Sequence, residues 1–173
     1  MNLNVRRALT TLFIGVLLLS GCSGTYEENP TDMKVNTSNV DDMYKNIYDD
    51  DSKIIVGDYG TCHYSGYEKA TSTEAYGKFS MFYGKILLWK ISAKSQAKLA
   101  LDFNSDQIGG KFKVVLVTPD DSVIKIIEQP IEGNKTIDLP VGESCIFIVG
   151  YNANLEYSIS ISDITNAEVV QKK

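Results

Sequence analysis

The sequence predicts an all-β protein: an antiparallel, jelly-roll-like β-sandwich preceded by a leader, a flexible tether and one short helix. Three observations predict it. Apolar residues beyond residue 53 recur with a period of two. Turn residues punctuate that region about every eight to twelve positions. No helical pattern separates the strands, as a parallel sheet would require. The chain has 173 residues, 43% hydrophobic and 23% charged, enough for one packed domain with an appendage.

The leader comes first. Arg6 and Arg7 precede an apolar run from Ala8 to Leu19, the charge step of an export signal. The run is too short to span about 30 Å of hydrocarbon permanently. It ends in Leu19-Ser20-Gly21-Cys22, which resembles the lipobox of bacterial lipoproteins. The resemblance implies a signal peptide over residues 1–21, cleavage between Gly21 and Cys22, and a diacylglyceryl thioether on Cys22. Two acyl chains on one residue suffice for stable anchoring, whereas one is marginal. The expected location is the extracytoplasmic face of the cell membrane. Cleavage would remove two basic residues and no acid from a chain whose formal charge is already −5. Anionic lipid then repels the body rather than binding it.

Residues 22–52 read as a polar tether, broken by Pro30. Within it Val40, Met43, Tyr44, Ile47 and Tyr48 recur at the spacing of one helix face, predicting a short helix over 39–49. Ser38 or Asn39 caps it, and Asp41 and Asp42 suit the positive end of its dipole. About ten residues of helix are marginal alone in water, so this one is expected to dock on the domain.

The body spans residues 53–165. Phe79–Tyr83 and Ile86–Ile91 read as two strands separated near Gly84. Leu99, Leu101 and Phe103 alternate with polar neighbours. Lys111–Val117 and Ser122–Ile127 flank the turn Thr118-Pro119-Asp120-Asp121. Thr136–Leu139 closes on Pro140-Val141-Gly142. Cys145–Tyr151, apolar on both faces, reads as central, and Asn152-Ala153-Asn154 as the turn into Tyr157–Ser162. Eight or nine short strands imply a sandwich. Residues 166–173 read as a polar tail.

Gly110–Asp120, Leu139-Pro140-Val141-Gly142 and the Cys145–Ile161 segment resemble small surface lipoproteins of Gram-positive bacteria. They are also similar to jelly-roll accessory domains of secreted bacterial enzymes. Both resemblances imply a non-catalytic sandwich, in some cases sugar-binding.

Few residues offer chemistry. The acidic balance, without a basic patch, argues against nucleic acid as partner. His63 is the sole histidine, so neither a Cys/His dyad with a second base nor a four-ligand zinc site is expected. No cofactor is implied. Cys62 and Cys145 form a candidate disulfide, as expected outside the cytosol; alternatively Cys145 is a small core residue. Asp49-Asp50-Asp51 lacks the alternating oxygen spacing of a calcium loop and reads as charged linker. Tyr59, Tyr64, Tyr67 and Tyr76, with Tyr83 and Trp89 nearby, concentrate aromatic area. Such rings either stack on sugars or fill strand positions that suit them. The sequence thus points to a membrane-anchored binding module rather than an enzyme, its ligand a protein partner or envelope component, or else a carbohydrate on the tyrosine-rich face.

Overall fold

The computed structural model describes residues 44–45, 47–56, 60, 62–128 and 132–170. The expected signal peptide, Cys22, most of the tether and Tyr59 lie outside them. Helical residues 44–45 and 47–49 lead into a second short helix, α1 (Asp51–Ile55), whose N-cap Asp50 accepts bonds from the Ser52 amide at 3.0 Å and hydroxyl at 2.7 Å. Lys53, expected to open the strand region, is therefore helical. Helical structure continues because Asp50 caps a new turn where an uncapped helix would end.

The strands are β1 (Cys62–Ala70), β2 (Glu74–Val117), β3 (Val123–Ile127), β4 (Glu132–Leu139) and β5 (Gly142–Val170). They are fewer and longer than the alternation suggests. All pairing is antiparallel and belongs to one sheet, so the all-β class holds. The punctuating residues bend strands instead of reversing them. Met81, Gly84, Gly110 and Asn152 have positive φ, and register shifts beside the first three mark bulges, which kink a strand and sharpen its twist. The expected turn at 152–154 is one such bend within β5. Gly110 could be nothing else, because a Cβ there would collide with the Asn152 carbonyl.

β5 is central. Residues 74–93 of β2 pair with one of its edges and residues 98–117 with the other. β1 extends the first side, and β3 and β4 the second. A straight strand of 29 residues would span about 95 Å. Yet residues 90–93 pair with 142–145 at one end of β5 and with 167–170 at the other. The sheet must therefore curl on itself. The last of those pairings also makes residues 166–170, expected as tail, part of the sheet.

Curling buries the inner face. Phe79, Phe82, Ile91, Leu99, Leu101, Phe112, Leu116, Ile146 and Ile148 form a cluster drawn from both limbs of β2 and from β5. No described helix covers this face, so strands cover strands. The outer face of the half containing 85–88, 112–117 and 145–149 is covered by the helical segment: Ile47, Tyr48 and Ile54 pack on Leu87, Val115, Val117, Phe147 and Val149. The helix thus docks as its apolar stripe requires.

Two buried lysines fasten it. Lys85, only 2% exposed, donates from Nζ to the carbonyls of Ile54 at 2.6 Å, Val56 at 2.9 Å and Lys53 at 3.4 Å. These are the orphan carbonyls at the end of α1, which attract a cation. Lys113 reaches Asp51 at the start of α1 at 2.8 Å and lies 5.2 Å from the Tyr48 ring centroid. Asp50 and Asp51 of the aspartate run are thereby engaged in capping and ion pairing.

A polar outer face as candidate binding site

The opposite half of the sheet exposes its outer surface. Period-two alternation places Ala75, Phe79, Leu99, Leu101, Leu155, Tyr157 and Ile159 inward, so their neighbours point to solvent. The register aligns those neighbours in rungs. One runs Tyr67, Lys78, Glu156, Asp106. The next runs Lys69, Tyr76, Ser158, Asn104, Glu132, and a third runs Glu74, Ser160, Asp102, Asn134. At about 4.8 Å per strand, the middle rung is about 19 Å long.

A depression of about 380 Å³ lies on this face, lined by Asp102, Asn104, Glu132, Asn134, Ser158 and Ser160 among others. Tyr76 borders it through its pairing with Ser158. Tyr67 and Tyr76 are diagonal neighbours on β1 and β2, close enough for aromatic side chains to form one surface. Both are open to solvent, at 54% and 37%. Lys78 and Glu156 pair at 3.0 Å, and that hydrogen bond holds the Lys78 ammonium above its ordinary pKa. These three rungs carry five acids (Glu74, Asp102, Asp106, Glu132 and Glu156) against Lys69 and Lys78.

The other predicted aromatics lie elsewhere. Tyr64 turns inward, its ring edge-on to Phe79 at 4.7 Å. Tyr83 packs between Tyr44 and Tyr151. Trp89 is buried, donating from Nε1 to the Thr71 carbonyl at 2.8 Å. Tyr59 is outside the described residues.

The candidate disulfide is corrected: both cysteines are free thiols. Cys62 packs on the inner cluster and Cys145 on the helix-covered one. Cys62 is level with Gly150 through Gly84, which leaves about 16 Å of β5 between it and Cys145. A bridge needs Cα atoms within about 7 Å. Burial pushes the Cys145 thiol pKa up; Lys90 opposes that and Glu143 reinforces it. Cys62 is half-buried while its neighbour His63 is exposed.

The six polar residues of the depression escaped sequence reasoning. A signal existed in the alternation of Asp102, Asn104 and Asp106 and of Ser158 and Ser160, but nothing local says that these stretches are neighbours. Among the described residues no three His, Cys, Asp or Glu side chains form a metal-binding group, and no helix is long and apolar enough to cross a membrane. Fold and site together define an all-β protein with an open polar face. Comparison with protein-family models gives no match, and comparison with curated proteins gives no relative.

Proposed function

We propose that this protein is a lipid-anchored, extracytoplasmic binding module that holds a glycan on its polar outer face without transforming it. One observation carries the reading: Tyr67 and Tyr76 form an exposed aromatic pair on the same face as, and bordering, a depression lined by hydroxyl, amide and carboxylate groups. Sugars present apolar C–H faces to rings and hydroxyls to fixed polar groups, so a site for them combines both. The side chains stand on paired strands, which positions them more rigidly than loops do. The anchor on Cys22 rests on the lipobox resemblance. A protein partner, the other reading of the sequence, has less support. Among the described residues the exposed large hydrophobics other than this pair are distributed over several elements: Val56 follows α1, Ile124 is on β3, Val141 precedes β5, Val170 ends it, and Met81 and Ile108 project at bulges. A wide apolar patch would be the mark of such a partner.

The test is a glycan array probed with the detergent-solubilised full-length protein and with its Tyr67→Ala/Tyr76→Ala variant. Binding by the first and loss by the second is expected. No binding by either, or equal binding by both, overturns the reading.

A further inference from the structure

We infer that the glycan bears free amines; this rests on the reading just given and specifies its substrate class. Asp102 and Glu132 are diagonal neighbours on β2 and β4, on one face and in the wall of the depression. As diagonal neighbours they stand on the order of 7–8 Å apart, their β-carbons somewhat closer. Among the described residues neither carboxylate has a cationic partner. Of the two lysines in these three rungs, Lys78 is engaged by Glu156, and Lys69 lies at the far end of the rung that terminates in Glu132.

This charge pattern sorts sugars. A uronic acid, sulfated sugar or polyol phosphate would bring negative charge onto an acidic face and be repelled. A neutral sugar would use the carboxylates only as ordinary acceptors. A protonated amino sugar would make charge-assisted N–H···O bonds to Asp102 and Glu132, roughly twice as strong as neutral ones. Its pyranose faces would remain free to stack on Tyr76 and Tyr67. Three strand spacings, about 14 Å, separate Tyr76 from Glu132. That distance accommodates a short oligosaccharide lying across the strands.

The experiment is calorimetric titration of the full-length protein with a glucosamine hexamer, the N-acetylglucosamine hexamer and a hexalysine control. It is run at mildly acidic pH, where sugar amines are protonated. Two exposed ion pairs predict that the amine form binds about tenfold tighter than the acetylated form. The preference is expected to shrink with added salt. Asp102→Asn/Glu132→Gln is expected to erase it, leaving the two hexamers with equal affinity, and hexalysine binding is expected to ignore Tyr67→Ala/Tyr76→Ala. Tyrosine-dependent binding of both hexamers with equal affinity overturns the inference and leaves the glycan reading standing. So does a preference that survives the double carboxamide variant. Failure of both hexamers, set against a glycan array that also stays empty, overturns both. Hexalysine bound as tightly as the amine form, with the same tyrosine dependence, overturns the sugar specificity.

Discussion

Replacing Lys85 with methionine isolates the contact that fastens the helical segment to the sheet. Methionine keeps most of the apolar stem and removes the ammonium, leaving the carbonyls of Lys53, Ile54 and Val56 without their donor. Hydrogen bonds to a charged group contribute about 1.5–3 kcal/mol each, and a buried acceptor stranded without a partner costs about 1–3 kcal/mol. The Ile54 and Val56 bonds are short, whereas the Lys53 bond is long. Against the loss stands the relief of no longer desolvating an ammonium that is almost fully buried. The balance is a destabilisation of about 3 kcal/mol. For a described body of this size that is a fall in melting temperature of roughly 10 °C. Thermal and urea unfolding measure it, and hydrogen exchange places the loss, with amides of residues 51–56 losing protection before those of β5. Lys78→Met serves as control, since that ion pair is solvent-exposed and expected to be nearly silent. A Lys85→Met protein as stable as the parent, with unchanged exchange in α1, would refute the reasoning.

Other outcomes follow from the same packing. Tyr157 is 4% exposed, and among the described residues its hydroxyl has no hydrogen-bond partner. Tyr157→Phe is therefore expected to be neutral or stabilising by about 1 kcal/mol in a urea titration. Burial, then the charge of Glu68 and the nearby Tyr64, pushes the Tyr157 pKa up. The unfolded phenol ionises first as pH rises, so its contribution is complete below about pH 10 and lost above it. Tyr157→Phe should flatten that alkaline decline, and an unaltered pH profile would contradict the burial argument. Cys62 and Cys145 are expected to take up two alkylating groups in denaturant without reductant, whereas a mass showing none would restore the disulfide. In the native protein, Cys145 should label more slowly than a free thiol because burial suppresses its thiolate. Cys22→Ser is expected to abolish incorporation of labelled fatty acid, and label retained by that variant would remove the basis for the anchor.

Local pattern made much of the fold legible. The alternation of Leu99, Leu101 and Phe103 with polar neighbours, and of Tyr157, Ile159 and Ile161 with serines, marked strands with one face inward. Cys145–Tyr151, apolar on both faces, is the stretch that lies between the inner cluster and the helix-covered one. The helix was legible from its stripe and its need for a partner. Strand ends were not. Gly84 and Asn152 look like turns in the sequence, because the positive φ that permits a reversal also permits a bulge.

The candidate site divides in the same way. Tyr67 and Tyr76 were visible as aromatic residues in a strand pattern, but Tyr64 carries the same signal and turns inward beyond a bulge between His63 and Ser65. That the body is built of strands, and which side of each strand seeks the core, follows from residues one or two positions apart. That Tyr76, Ser158, Asn104 and Glu132 share a rung is visible only once the sheet is assembled. That row depends on pairing between stretches far apart in sequence and on where each bulge slips the register, and the free energy that sets it comes from burying the inner face as a whole.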